Sequence, residues 1–99
     1  MKALVYIQPN EVIYREETDP VPGEGEVLVR VDAVGICGSD LHAYLGHDER
    51  RIAPLILGHE AAGVIVGSSM NGQKVVINPL VTCGHCKACL SGRSNLCAD

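Results

Sequence analysis

The chain lacks phenylalanine and tryptophan altogether and has only three tyrosines among its 99 residues. Aromatic side chains supply the largest buried surfaces in most small domains. Their scarcity predicts a modest core built from valine, isoleucine, leucine and alanine. The hydrophobic content of 46% indicates a globular chain and not a disordered one, and the length suits one small domain.

Long apolar runs and an excess of basic charge are also missing. The apolar runs are far shorter than a membrane span requires, and a net charge of −4 argues against nucleic acid and anionic membranes as partners. Because the chain starts directly in a strand-like segment, no targeting peptide is visible. We therefore expect a cytoplasmic protein that binds neither nucleic acid nor membranes.

The hydrophobic pattern predicts short β-strands separated by turns. The first two strands form a hairpin that turns at Gln8-Pro9-Asn10, and a loop rich in proline and glycine follows at 19–25. A short helix, capped by Ser39 or Asp40, is predicted to run through Leu45. This arrangement favours a small barrel or sandwich. The predicted strands are 2–7, 12–16, 26–32, 55–57, 61–66 and 75–77, with a turn at 67–72.

Four cysteines near the C-terminus have the spacing C-x₂-C-x₂-C-x₇-C. Thiolates at this spacing are typical of a tetrahedral zinc site in which all four positions are filled by protein. Such a site is structural, because no position is left for substrate. His85 lies inside the motif, but four thiolates already complete the coordination, so we interpret it as a solvated loop residue. The predicted ligands are Cys83, Cys86, Cys89 and Cys97, in a zinc-binding lobe at 81–97.

Three other interpretations of these cysteines compete with zinc. Disulfides would leave one of the five cysteines unpaired, and nothing indicates an oxidising compartment. An iron–sulfur cluster shares the C-x₂-C-x₂-C opening, yet the ferredoxin motif continues with a shorter gap and a Cys-Pro pair. A nucleic-acid-binding zinc module needs basic and aromatic residues, and the lobe contains only Lys87 and Arg93 as basic residues.

A second group of ligand-type residues lies upstream. Cys37 stands between Gly35 and Gly38, and the pair His59-Glu60 follows Gly58. A lone cysteine is usually a small core residue, and a lone His-Glu pair usually lies on the surface. Together they offer a thiolate, an imidazole and a carboxylate, and three protein ligands with an open fourth position are typical of catalytic zinc.

The segment Gly23-x-Gly25 is not a dinucleotide-binding motif, because it precedes a strand and lacks a third glycine.

The Cys37 motif, the His59-Glu60 motif and the tetracysteine lobe occur in this order and at these separations. Together they resemble the zinc-containing medium-chain alcohol dehydrogenases. The sorbitol and polyol dehydrogenase branch is the most similar one, and the resemblance runs from Met1 through Cys97. It implies a mainly β fold, a GroES-like, partly open β-barrel with a short helix and a zinc-binding lobe. It also implies an alcohol or polyol substrate, two zinc sites and a nicotinamide cofactor, NAD or NADP.

The resemblance further implies a role for each residue of the upstream motifs. Cys37 and His59 correspond to ligands of the catalytic zinc, and Glu60 corresponds to a direct ligand or a nearby carboxylate. Ser39 corresponds to the hydroxyl that hydrogen-bonds the substrate oxygen, and His42 to the outer member of a proton relay. Asp40 corresponds to the carboxylate that orients the zinc-bound histidine. Without the family, Ser39 and Asp40 could be helix caps only, and His42 could be solvated.

The chain departs from the family pattern because no G-x-G-x-x-G follows a strand, so the Rossmann nucleotide-binding domain is expected to be absent. We therefore expect residues 1–99 to be an N-terminal fragment of the catalytic domain, inactive alone, with exposed strand edges that favour a homo-oligomer. The usual Gly-Asp before the strand at 75–77 is Gly72-Gln73 here. The alternative hypothesis is a stand-alone zinc-binding module without catalysis.

Overall fold

A computed structural model describes residues 1–98 of the chain, and it consists mainly of β-structure. Asp99, the last residue of the predicted domain, lies outside the described residues. The strands are β1 (Lys2–Gln8), β2 (Glu11–Glu16), β3 (Leu28–Gly35), β4 (Leu55–Ile56), β5 (Glu60–Val66) and β6 (Lys74–Val76). The helices are α1 (Gly38–Tyr44) and α2 (Lys87–Leu90), and a 3₁₀ turn covers Ser94–Leu96.

The strands form two antiparallel three-stranded sheets, with the orders β2-β1-β4 and β3-β5-β6. Among residues 1–98 the sheets do not close into a barrel, which agrees with the predicted partly open, mainly β architecture. None of the helices in this part of the chain has the length and apolar character needed to cross a membrane.

The first sheet is built on the predicted hairpin. Strands β1 and β2 pair antiparallel, and Asn10 in the turn adopts a left-handed φ of 66°, a conformation that asparagine tolerates better than most residues. The Asn10 amide donates a hydrogen bond of 2.7 Å to the Tyr44 carbonyl at the end of α1. Gly46 approaches Pro9 so closely that a Cβ atom there would lie 2.8 Å from the proline ring. The hairpin turn thus anchors the end of the helix.

The core is small and lies mainly along β1. Its buried hydrophobic residues include one aromatic ring, and Val5 and Ala43 are each only 1% exposed. An apolar depression of about 650 Å³, lined mainly by side chains of the first sheet, β3 and α1, remains open beside this core. The core is therefore modest, as the composition predicts. The buried hydrophobic residues are Ala3, Val5, Tyr6, Ala43 and Ile65.

Several predicted boundaries need correction. Strand β3 begins at Leu28 and extends to Gly35, three residues past the predicted end, because β5 pairs with it along that whole stretch. The N-cap of α1 is Cys37, and not Ser39 or Asp40 as predicted. Asp40 still helps to start the helix, since its carboxylate accepts the backbone N–H of Cys37 at 3.1 Å. Helix α2 and the 3₁₀ turn were not predicted at all.

Strands β3 and β5 approach each other unusually closely at Gly63. A Cβ atom on Gly63 would lie 2.1 Å from the carbonyl oxygen of Arg30 on β3. The pairing register shifts nearby, between Val31 and Ala33, which is the signature of a β-bulge. Only glycine fits at this contact, so residue 63 determines how β3 pairs with β5, the central strand of the second sheet.

We expect Gly63→Ala to destabilise the fold by about 3 kcal/mol, the upper end of the usual range for forcing extra volume into a packed site, because the clash is with backbone. Gly38→Ala is the matched control, because no atom lies within 4 Å of the position its Cβ would take. It should change the free energy of unfolding by about 1 kcal/mol or less. Urea denaturation followed by circular dichroism measures both. Equal stability of the two variants would contradict the close β3–β5 approach.

Candidate metal centres

The four cysteines of the C-terminal lobe converge on one point. Cys83 lies in a loop, Cys86 is the N-cap of α2, Cys89 lies within α2, and Cys97 follows the 3₁₀ turn. All four side chains are half-buried. Their sulfur atoms lie within 4.8 Å of one another. Helix α2 therefore lies where the chain reverses its direction between the first three cysteines and Cys97.

The sulfur separations fit a zinc ion and not a disulfide. The distances are 3.9 Å between the Sγ atoms of Cys83 and Cys89 and 4.0 Å between those of Cys86 and Cys97. A disulfide requires about 2.05 Å. Four Zn–S bonds of about 2.3 Å in a tetrahedron separate the sulfurs by about 3.8 Å. The cluster therefore has the size and the donor set of a closed tetrathiolate zinc site.

Backbone amides stabilise negative charge on these sulfurs. The N–H groups of His85 and Cys86 point to Cys83 Sγ at 3.4 and 3.2 Å, and the N–H of Cys83 points to Cys97 Sγ at 3.4 Å. Such hydrogen bonds favour the thiolate over the thiol, and the thiolate is the form that binds metal. His85 itself is exposed, and its backbone contributes to the cluster.

Two of the thiols differ strongly in acidity. Backbone hydrogen bonds from Cys89 and Ala98 lower the pKa of Cys86 to about 6. For Cys89, the backbone of Gly84 acts to lower the pKa, but burial and hydrogen bonds with the other thiols outweigh it and raise the pKa to about 11. Negative charge thus collects on Cys86 first and disfavours ionisation of its neighbour when no metal is bound.

This asymmetry predicts selective alkylation of the metal-free lobe. After chelation and reduction, Cys86 should react with iodoacetamide at a rate that rises as the pH increases through about 6, because the thiolate is the nucleophile. Cys89 should remain slow well above that pH. Peptide mass spectrometry across a pH series measures both. A common midpoint at about 8.5, the pKa of an unperturbed cysteine, would show that the cluster geometry is lost without metal.

The upstream ligand-type residues form a second cluster. Cys37 lies two residues beyond the end of β3, His59 immediately precedes β5, and Glu60 is the first residue of β5. One ligand atom from each of the three lies within 4.8 Å of the others. Cys37 and His59 are half-buried, whereas Glu60 is exposed. The pairing of β3 with β5 brings these residues together although about twenty positions separate them in the sequence.

Two glycines make this convergence sterically feasible. Gly35 pairs directly with Glu60, and a Cβ atom on Gly35 would lie 2.7 Å from the Glu60 carboxylate. Gly58 adopts a φ of 111°, where its missing side chain leaves room for Val34, and this conformation is rarely accessible to other residues. Side chains at Gly35 and Gly58 would therefore crowd the cluster, whereas Gly38, on the other side of Cys37, has open space.

Asp40 connects the two halves of the second cluster. It is buried, with 8% of its surface exposed. Its Oδ2 accepts the backbone N–H of Cys37 at 3.1 Å, and its Oδ1 lies 3.5 Å from His59 Nδ1. With Nδ1 turned to a carboxylate, the opposite ring nitrogen of His59 is the one available to a metal or to another partner.

The other predicted site residues lie on α1 at different distances from this cluster. Ser39 is half-buried, and its hydroxyl lies 3.4 Å from His59 Nε2. His42 follows one turn later and is exposed, and its ring lies 6.3 Å from that of His47 at an interplanar angle of 53°. The structure thus brings Ser39 to the cluster and leaves His42 on the solvent side of the helix.

Sequence inspection missed one residue at this site. Arg51 lies 3.4 Å from Asp40 through its Nη1 atom. In the sequence it is the second of two adjacent arginines in a polar loop. No periodicity or motif distinguishes it from Arg50, so no local signal could have identified it.

Comparison with known proteins decides the family. Residues 23–99 match the alcohol dehydrogenase GroES-like domain. The chain belongs to this family. Sorbitol dehydrogenase of Bacillus subtilis is 50% identical over 110 residues that cover 100% of the chain and 31% of the relative. L-Galactonate-5-dehydrogenase of Escherichia coli is 42% identical over 98% of the chain and 30% of the relative.

A solved structure gives the same result. An alcohol dehydrogenase from Escherichia coli CFT073, crystallised with NADH, superposes with a TM-score of 0.84 at 42% identity. The alignment covers 98% of the chain and 30% of that protein. The GroES-like domain described here thus spans about 30% of the length of the relatives it matches. The predicted family and mainly β GroES-like fold are confirmed.

The two clusters of this GroES-like domain differ in what they can do chemically. The tetracysteine cluster surrounds its centre with four sulfur donors and would leave no free position for a substrate. The second cluster combines a thiol, an imidazole and a carboxylate, and one of its members, Glu60, faces solvent. Three unlike donors around an accessible point are suited to hold a metal that also contacts a substrate.

Proposed function

We propose that this chain forms the metal-binding part of the catalytic domain of a zinc-dependent alcohol or polyol dehydrogenase. The whole enzyme would transfer hydride from a carbinol carbon to NAD or NADP. The observation that carries this proposal is the convergence of Cys37, His59 and Glu60 within 4.8 Å in a chain of this family. The similarity to sorbitol and L-galactonate-5-dehydrogenases supports a polyol or sugar-acid substrate.

We assign structural zinc to the tetracysteine lobe at 81–97, with Cys83, Cys86, Cys89 and Cys97 as ligands. The second zinc is assigned to Cys37 and His59, with Glu60 as a third ligand or a close carboxylate. When bound there, zinc acts as a Lewis acid that lowers the pKa of an alcohol oxygen. Asp40 holds the His59 ring through Nδ1 and keeps its tautomer suited to metal binding.

The proton released from the substrate has to be transferred to solvent, and two residues of α1 are placed to transfer it. The Ser39 hydroxyl lies beside the second cluster, 3.4 Å from His59 Nε2, where it can accept the proton of a bound alcohol while it passes its own hydroxyl proton onward. His42 lies one helical turn further on and is exposed, where it can exchange a proton with water. We assign Ser39 and His42 to a proton relay, with His42 joined to Ser39 through the cofactor or water.

Zinc content tests both assignments. Freshly purified protein should contain between about one and two zinc ions per chain, because four thiolates bind more tightly than three mixed ligands. Cys89→Ser should lose the tight fraction and loosen the lobe, as measured by hydrogen exchange, while the strands stay protected. Cys37→Ala should lose only the weak fraction. An iron–sulfur absorption band, or equally tight occupancy of both sites, would contradict the assignments.

Activity tests the catalytic function. Residues 1–99 alone should neither bind NAD nor oxidise alcohols, because they contain no dinucleotide-binding motif and hydride transfer requires a cofactor held in near-contact with the substrate. The protein joined to a nucleotide-binding domain should oxidise polyols or secondary alcohols and lose turnover on His59→Ala or removal of zinc. Saturable NAD binding to residues 1–99 in calorimetry would refute the fragment assignment. Inactivity of the longer protein toward every alcohol tested would favour a stand-alone zinc module.

Two further predictions from the sequence stay predictions, namely residence in the cytoplasm and assembly into a homo-oligomer. Support for association comes from exposed apolar side chains on the strands, such as Val34 at 53% and Val76 at 80% exposure, since exposed strand surfaces favour pairing with another chain or segment.

A further inference from the structure

Arg51 lies between the carboxylates of Asp40 and Asp48, and Asp40 in turn contacts the second cluster. Its Nη1 atom is 3.4 Å from Asp40 Oδ1, and its Nε atom is 3.4 Å from Asp48 Oδ2. The side chain of Arg51 is 25% exposed, and those of Asp40 and Asp48 are 10% and 13% exposed. A guanidinium held at two points in a partly desolvated place is far more constrained than a single surface ion pair.

The Asp40 carboxylate is the junction through which Arg51 can act. One oxygen is taken by the backbone N–H of Cys37, and the other is shared by His59 Nδ1 and Arg51. Rotation of this carboxylate would break its contacts with both ligand-bearing segments at once. Any group that restrains Asp40 therefore restrains the ring of His59.

Arg50 provides an internal comparison. Its side chain is 90% exposed and turns back to Asp48, with Nε at 3.1 Å. The side-chain hydrogen bond from Arg50 is the main cause, and its backbone hydrogen bond the next, of the lowered pKa of Asp48. Two adjacent arginines thus pair with the same carboxylate, but Arg51 also reaches Asp40.

We propose that Arg51 is a positioning residue for the Cys37–His59–Glu60 site. By fixing Asp40, it sets the orientation of the His59 ring and so raises the affinity of the site for a divalent metal. The inference rests on the proposed function, because it requires that this cluster bind metal. Partners of metal-ligating histidines typically change metal affinity by about 10–100-fold when they are removed.

Cobalt(II) binding measures this effect without any need for enzymatic activity. The tetracysteine lobe is first filled with zinc, and Co²⁺ is then titrated against a competing chelator while the thiolate–cobalt absorption bands are followed. Cys37→Ala defines the spectrum without a metal at the second cluster. Arg51→Met, which keeps the aliphatic stem, should weaken Co²⁺ binding about tenfold, the low end of the range for partners of ligating histidines, because Arg51 acts through Asp40. Arg51→Lys should restore part of the affinity, and the matched control Arg50→Met should equal the wild type.

A double-mutant cycle tests whether Arg51 acts through Asp40. Asp40→Asn alone should weaken Co²⁺ binding, and adding Arg51→Met to it should weaken binding little further. The same loss in both backgrounds would overturn the positioning role. So would loss of zinc from the tetracysteine lobe, or loss of hydrogen-exchange protection in β3 and β5, in Arg51→Met, because either would show a general effect on folding.

The failures of the two proposals are distinguishable. If the wild type gives the same Co²⁺ spectrum as Cys37→Ala, the second cluster does not bind metal, and both the proposed function and the role of Arg51 are overturned. If the wild type binds Co²⁺ through Cys37 and Arg51→Met binds it equally well, the role of Arg51 alone is overturned.

Discussion

The second cluster, Cys37, His59 and Glu60, depends on the antiparallel pairing of β3 with β5. Gly63 lets the strands approach to a distance that no side chain permits, with the Arg30 carbonyl in the space of its absent Cβ. The same register places Gly35 opposite Glu60. Because the side-chain direction alternates along a strand, a shift of one residue would turn Glu60 away from Cys37. The site is therefore a consequence of strand register.

Asp40 adds the second level of organisation. Strand pairing brings the ends of β3 and β5 together, but it does not orient a histidine ring. A buried carboxylate that accepts the backbone N–H of Cys37 and lies 3.5 Å from His59 Nδ1 does so, and it also starts α1. Burial of a charged group is costly unless its oxygens have partners, and here Arg51 supplies one of them. One residue thus links helix initiation to ligand geometry.

The tetracysteine lobe follows a different physical principle. Its two short helices, α2 and the 3₁₀ turn, contribute no buried residue to the core. Segments this short are not stable alone in water. Convergent sulfurs at 3.9–4.0 Å supply the donors with which a bound metal would take the place of a hydrophobic core in this lobe. In the strands, by contrast, apolar burial along β1 and the pairing of backbone groups stabilise the fold.

The sequence by itself determined the features that depend on residue type and local spacing. These are the hairpin at Pro9-Asn10, the aliphatic core, the turn between β5 and β6 and the membership of all four lobe cysteines in one cluster, since a C-x₂-C-x₂-C spacing limits how the thiolates can converge. The family resemblance also anticipated that Cys37, His59 and Glu60 lie close together. The predicted start of α1 at Ser39 or Asp40 was wrong, because the backbone geometry after β3 makes Cys37 the N-cap.

Only the tertiary structure decided the contacts that join distant segments. Whether Arg50 or Arg51 reaches Asp40 depends on how the loop after α1 folds back, and adjacent identical residues carry no information about it. The need for glycine at 63 likewise arises from a backbone atom of another strand, 33 residues earlier in the sequence. Local patterns specify which groups are present, whereas the packing of elements far apart in the chain specifies which of them meet.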